Sequence, residues 1–335
     1  MALIIPEEYD SKLNIRETEK AIRITRDLFT QLLSDKFNLE RASAPLFVKS
    51  GTGINDDLNG IERAVSFDIL SMKNVEAQIV HSLAKWKRLA LYNYGYKVGE
   101  GIYTNMNAIR RDENPDNLHS FYVDQWDWEK VISREDRNID FLKKTVNNIV
   151  GLICDLKDKL NTLYPVLNKT IKREVTFITA QELEDLYPDK TPKEREEIFV
   201  KEHKTVFLMQ IGDVLKSGEP HDGRAPDYDD WSLNGDILFY NEILDCAFEV
   251  SSMGIRVDEK ALREQLAKSE HEDRLVLPFH KMILNNTLPL TIGGGIGQSR
   301  LCMLILEKAH IGEVHSSIWP DDMISKCKSS GINLL

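Results

Sequence analysis

The sequence predicts an α+β fold, a mostly antiparallel β-sheet flanked by helices. Three observations carry this. Residues 102–109 and 120–131 read as two strands joined by a polar loop, an antiparallel hairpin with a long connection, and residues 236–258 read as another. Long helical patterns run over 11–36 and 136–163. Extended β-α-β alternations are few, which argues against a doubly wound parallel sheet.

The elements follow in order. In residues 11–36, Leu13, Ala21, Ile24, Leu28 and Leu32 fall near one helical face with charges between them. Residues 38–50 are irregular or strand-like and interrupted by Pro45. Short strands are predicted at 65–70 and 78–81, then a helix over 82–94 with Leu83, Trp86, Leu89 and Ala90 as its apolar stripe. After the second long helix, residues 169–213 alternate short strands (175–178, 206–211) with acidic helices. Helices are expected at 260–269 and 274–285, followed by a glycine-dense turn at 291–297 and a last helix at 298–308. No repeat, low-complexity tract or Pro/Gly/Ser linker divides the chain, so one catalytic unit spanning 1–335 is expected.

Composition bounds the function. Of 335 residues 42% are hydrophobic, enough for a sizeable core. The net charge of −11 disfavours sequence-independent nucleic-acid binding, which needs Lys and Arg to displace counterions, yet leaves room for a local basic pocket. Cys154, Cys246, Cys302 and Cys327 are widely spaced with no C-x-x-C, which fits a reducing cytoplasm and neither a disulfide framework nor a zinc knuckle. The first residues lack a basic, signal-like segment, and no apolar run approaches the roughly 18 residues of a membrane span.

Several clusters can carry chemistry. In Thr291–Gly297 and the following Gln298-Ser299-Arg300, glycines allow close backbone approach to a flat ligand, and an arginine opens the next helix. The spacing fits neither G-x-G-x-x-G nor G-x-x-x-x-G-K-[ST], so a plain strand-to-helix turn is the competing reading. His81 to Arg88 starts a helix, where free N–H groups favour an anion. If it is helical, Lys87 lies well round from Trp86, so either faces a site while the other packs. On a strand, Gln125, Asp127 and Glu129 share one face and Trp126 and Trp128 the other, which suits a covered pocket better than a simple wet face. Arg224 to Asp236 sets carboxylates beside aromatics, as Mg²⁺ with substrate phosphates requires, or as an acidic surface loop would. In Phe248 to Asp258, period-2 alternation puts Glu249 and Ser251 on one face. Arg256, just past a glycine, needs a partner or an anionic ligand. Zinc H-E-x-x-H, the G-x-S-x-G elbow and the kinase H-R-D loop are all missing.

In order, these motifs resemble the class II aminoacyl-tRNA synthetase catalytic core, especially its aspartyl and asparaginyl branch. Arg110 to Glu129 looks like its second motif, Gly293 to Arg300 like its third, and the Pro45 region like the first, which forms a dimer interface in that family. The closer resemblance, over essentially the whole chain, is to the ammonia-dependent, AMP-forming asparagine synthetases. It implies a homodimer that uses aspartate, ammonia, ATP and Mg²⁺. Arg110 would hold the α-phosphate, and Arg300 the far phosphates or the adenine face. Asp229, Gly295 and Gly297 would line the ATP/AMP site, and Asp236 and Glu249 would hold Mg²⁺. Lys87 and Arg256 would grip a carboxylate of aspartate, with Ser82, Gln125, Asp127 and Ser251 completing its site. Asp56 would receive ammonium and take its proton. The loop 231–235 is shorter than in some members, and Arg110-Arg111-Asp112 replaces a proline-containing version. Two alternatives stand beside this: an aspartyl- or asparaginyl-tRNA synthetase, which needs an anticodon module and a basic surface, and an inactive synthetase-like paralogue, which would have lost the phosphate arginines or metal carboxylates.

Overall fold

The computed structural model describes residues 3–56, 58 and 62–335. Helix α1 (Ile15–Phe37) starts where the Asn14 side chain accepts from the Glu17 N–H and Glu17 reaches back to the Asn14 N–H. It stops at Asn38, which turns left-handed at φ 56°. β1 (Leu39–Arg41), β2 (Phe47–Lys49), β3 (Ser66–Asp68) and β4 (Glu76–Ile79) are short, and α2 (Ala84–Tyr94) follows. Next come the hairpin of β5 (Gly101–Ile109) and β6 (Tyr122–Val131), then α3 (Ile139–Leu163). β7 (Thr176–Thr179), α4 (Ala180–Leu186), α5 (Pro192–His203) and β8 (Thr205–Met209) lead to a long second hairpin, β9 (Asp229–Asn241) and β10 (Cys246–Arg256). The chain ends with α6 (Glu259–Lys268), α7 (Pro278–Leu284), β11 (Thr291–Gly297), α8 (Gln298–Ile305) and α9 (Asp321–Ser329).

One eight-stranded sheet organises these elements, in the order β1-β5-β6-β11-β10-β9-β8-β7. Its six central strands pair antiparallel, and only the edge pairs β1–β5 and β7–β8 run parallel. The predicted α+β class with a mostly antiparallel sheet is thus observed. β2, β4 and β3 form a small separate antiparallel sheet.

The two faces of the large sheet differ, and strand alternation explains why. Trp126, Trp128, Ile237, Phe239, Met253, Ile255, Ile292 and Ile296 point to one face and form the main core with α1, α3 and α8. Phe29 meets Trp126 at 4.8 Å and Phe37 stacks on Trp128 at 5.3 Å between ring centroids. The Trp126 indole N–H is satisfied by Thr30 Oγ1 at 2.8 Å. The other face carries the charged residues described below, with α2 beside β6 and β11.

Three local expectations change. The glycine-dense segment predicted as a turn is the strand β11, hydrogen-bonded to β6 on one side and β10 on the other. Ile292 and Ile296 anchor it in the core, and its glycines let the backbone lie under the charged face. The helix predicted at 274–285 is broken at Pro278. A 3-10 turn (Glu272–Val276) precedes it, Leu277 is extended as residues before proline prefer, and α7 starts afresh on the proline. The helix predicted from Ser82 begins at Ala84, leaving Ser82 in the preceding loop.

Candidate active site

The charged face of the sheet centre forms the floor of a cavity. β6 supplies Gln125 and Asp127, β10 supplies Glu249, Ser252 and Arg256, β11 supplies Gly294 and Gly295, and α2 lowers Lys87 onto them from above. Asp56, Ser82, Arg110, Arg224 and Asp229 complete the walls. A second cavity adjoins it, lined by Arg110, Glu249, Gly295, Gly297 and Arg300 among others. The two share Arg110, Gln125, Asp222, Glu249 and Gly295. A third opening on another side shares Asp56 and Glu62 with the first.

Lys87 is fully buried. Its ammonium donates to Asp127, to the Trp128 carbonyl at 2.9 Å and to the Gly294 carbonyl at 3.2 Å, which uses all three of its donors. Glu129 Oε2 lies 3.7 Å away. Arg256 is held by two carboxylates, Glu129 at 2.7–3.2 Å and Asp229 on the opposite nitrogen. Burial alone would raise the Glu129 carboxyl, yet Arg256 and Lys87 outweigh it and hold it below the usual range. Asp229 goes the other way: burial raises it, and Arg256 offsets only part. Burying so many charges is tolerable only because each is paired. Such an array sets fixed charges in place before any ligand arrives.

The groups toward the second cavity are looser. Arg110 Nε is buried with no hydrogen-bond partner among the described residues. Arg300, in the first turn of α8, reaches the Glu249 carbonyl at 3.0 Å and its carboxylate at 3.4 Å. Asp236 lies behind Arg224, which pairs with its Oδ2, while its Oδ1 is buried without a partner. Burial raises the Asp236 carboxyl, and nearby Glu249 adds to this against Arg224. Among the described residues no group of three or more His, Cys, Asp or Glu is arranged to hold a metal by itself. Two carboxylates, one with an orphaned oxygen, do fit a cation that takes its other ligands from substrate phosphates.

Asp56 accepts from Ser82 Oγ and from the Leu58 N–H, both at 3.0 Å, at the junction with the third opening. Of the residues singled out from sequence, Asp56, Ser82, Lys87, Arg110, Gln125, Asp127, Asp229, Glu249, Gly295 and Arg256 line the first cavity, and Gly297 and Arg300 the second.

Asp236 and Ser251 line neither: Asp236 lies behind Arg224, and Ser251 is turned away. A β-bulge between Glu249 and Ser251 reverses the alternation, so Ser251 pairs across from the core residues Ile237 and Ile296. Ser252, opposite Asp236 and Gly295, takes the cavity face in its place. Sequence reading also gave no role to Glu129, the shared partner of Lys87, Arg256 and Thr291, although its alternation with Asp127 was the signal for it. Arg224, the partner of Asp236, was likewise passed over inside a cluster already noticed.

A family description of aspartate-ammonia ligases matches residues 16–331. The aspartate–ammonia ligase of Lactobacillus johnsonii is 59% identical over 336 residues, covering 100% of each chain. That of Clostridium tetani is 57% identical over 333 residues, covering 99% of this chain and 98% of its own. Among solved structures, asparaginyl-tRNA synthetase from Pyrococcus horikoshii, complexed with asparaginyl-adenylate, superposes with a TM-score of 0.64 at 13% identity, over 91% of this chain and 71% of its own. The Entamoeba histolytica asparaginyl-tRNA synthetase, also with asparaginyl-adenylate, gives 0.63 at 14% identity, over 90% and 66%. At such identities the likeness to the synthetases is one of fold alone. The full-length relatives and the family match carry the identification: this chain belongs to the aspartate–ammonia ligase family.

Proposed function

We propose that the chain makes asparagine from aspartate, ammonia and ATP, releasing AMP and pyrophosphate through a β-aspartyl-adenylate. The observation that carries this is the pair of adjoining cavities with a shared wall at Arg110, Gln125, Glu249 and Gly295. One end holds a matched array of fixed cations and carboxylates, as a zwitterionic amino acid needs. The other presents Arg110 and Arg300 to polyphosphate.

Aspartate brings an ammonium and an α-carboxylate side by side. Lys87 and Asp127 are one such pair already made, so the substrate exchanges with it: its carboxylate takes a donor of Lys87 and faces Arg256, and its ammonium takes Asp127 and Gln125. Ser82 closes this end beside Asp56. The β-carboxylate then faces the shared wall, where Arg110 meets the α-phosphate. Its oxygen attacks the α-phosphorus and pyrophosphate leaves toward Arg300. Cationic groups fixed at that point stabilise the added negative charge without reorganising. A Mg²⁺ held by Asp236 and Glu249 would supply further neutralisation of the phosphates. Arg224, which pairs with Asp236 here, would have to release it for that, while Asp229 keeps Arg256 in place. In the second step ammonia attacks the activated β-carbonyl and AMP departs. Asp56 receives ammonium and takes its proton, because only about 1% of the total is free ammonia near neutrality. The whole of 1–335 acts as one catalytic unit in the cytoplasm, as a homodimer. Leu46 and Phe47, exposed directly after Pro45, support pairing through that region. Nucleic acid has no part in the reaction.

Asp56→Asn separates the two half-reactions. Aspartate-dependent pyrophosphate release should continue within a few-fold of the parent rate, while asparagine formation falls at least about a hundredfold, the scale of a lost general base. Equal loss of both steps would remove the ammonia role from Asp56.

A further inference from the structure

A fourth cavity, of about 190 Å³, lies away from the substrate site and shares no residue with it. It opens between α3, α8 and the far end of β9, on the side of the sheet covered by α1 and α3. Its floor is apolar, with Phe239, Met303 and Leu304. Its charged lining is Lys157, Lys169, Lys172 and Lys204 against Glu242 and Glu307, an excess of positive charge in a chain whose net charge is −11.

Two of these lysines are committed. Lys157 is buried and bound to Glu307 and to the Ile305 carbonyl, both at 2.8 Å, and Lys169 pairs with Glu242 at 2.7 Å. The other two are not. Lys172 has only a loose 3.8 Å contact with the exposed Glu174. Lys204 makes no ion pair with any described residue, and Asp245 beside it is taken by Lys201 and the Tyr240 hydroxyl.

Lys204 is also held in an unusual way. Its backbone sits at φ 72°, a region that L side chains other than Asn and Asp seldom adopt. Its N–H donates to the Val200 carbonyl and its carbonyl accepts from the Tyr240 N–H, each at 2.8 Å, so the conformation is fixed from both sides. The result is an ammonium parked 3.6 Å from the centre of the Tyr240 ring, at the cavity wall. Strain of this kind persists where the surroundings impose it; the Lys204 side chain is exposed and acts on the Asp245 carboxylate only at longer range, without an ion pair.

We propose that this cavity binds a small organic anion: an apolar body on Phe239, Met303 and Leu304, with a carboxylate or phosphate held by Lys172 and Lys204. The ligand would touch the far ends of α8 and β9, the two elements that carry Arg300 and Asp236 to the substrate site. The proposal stands independently of the ligase reading.

The test uses the full chain and 8-anilinonaphthalene-1-sulfonate, an aromatic anion that fluoresces in apolar surroundings, with saturating Mg-ATP present to occupy the substrate site. Saturable binding should persist under Mg-ATP, compete with inorganic phosphate, and weaken at least tenfold in Lys172→Glu/Lys204→Glu with asparagine formation unchanged. Lys172→Glu alone, at an exposed side chain, covers the case in which the double variant folds poorly, and should weaken binding severalfold. Dye binding that ignores these charge reversals, or that Mg-ATP displaces, would overturn the proposal.

Discussion

Lys87 shows how closely fold and function are joined at single residues here. Sequence alone left open whether Lys87 or Trp86 faced the site. In the structure Lys87 does, because α2 sits over β6, while Trp86 packs between two apolar clusters. What sequence could not show is that Lys87 has no spare donor, since its partners come from β6 and β11, far apart in the chain. Lys87→Met should therefore do two things. Leaving Asp127 buried without its cation costs about 3–5 kcal/mol, read as a lower Tm. The KM for aspartate should rise far more than that for ATP, and an unchanged aspartate KM would remove Lys87 from the substrate site. Asp236 gives a pH signature. Its carboxyl is raised by burial, with Glu249 adding and Arg224 opposing, so it takes up a proton at higher pH than an ordinary aspartate. The sign is then fixed: the neutral form stabilises the unliganded fold at low pH, an advantage lost as pH rises through the raised value, whereas a cation needs the ionised form. The KM for Mg-ATP should thus climb as pH is lowered, well above about pH 4 where an unperturbed aspartate titrates. Asp236→Asn should abolish that dependence, and a KM that stays flat down to pH about 4 would exclude Asp236 from the nucleotide site.

At the scale of elements, periodicity was legible and its interruptions were not. In the apolar stripe read for α1, Leu13 and Ala21 are in the core, but the buried line then runs through Ile22, Thr25, Phe29 and Leu33, with Ile24, Leu28 and Leu32 flanking it half-buried. The β-bulge after Glu249 has no residue-type signature, so counting by two placed Ser251 where Ser252 stands. Four glycines in seven residues of another segment favour a turn on local grounds. Long-range pairing overrides this in β11, because a side chain on that strand would fill the space used by the site. The consequence is testable at two positions. A Cβ on Gly293 would meet Glu129, with the Trp128 carbonyl at 2.6 Å and Arg256 at 2.7 Å, none of them able to yield without breaking the buried network. A Cβ on Gly295 would first meet the Gln125 side chain, which can swing aside. Gly293→Ala should lower stability by about 3 kcal/mol or more and abolish activity, as overpacking a rigid core does. Gly295→Ala should fold nearly normally with weakened substrate binding. Equal effects at both positions would mean that the Glu129–Arg256 network is not rigid.

At the scale of the molecule, the α+β class and the central antiparallel hairpins followed from strand alternation and from the scarcity of β-α-β units. Their assembly did not. β6 and β10 are brought to either side of β11 by segments more than thirty residues long, and that order decides which charged rows share a face. The site was legible as four separate clusters because buried charge stands out against apolar strands. The pairings between clusters, such as Arg256 with Glu129 and Asp236 with Arg224, required the fold. The most direct test of the whole account is to supply the purified chain with Mg-ATP, aspartate and ammonium, without tRNA, and to identify every product. AMP, pyrophosphate and asparagine in equal amounts are the expected result. AMP and pyrophosphate without asparagine, or asparagine formed together with ADP and phosphate, would contradict it.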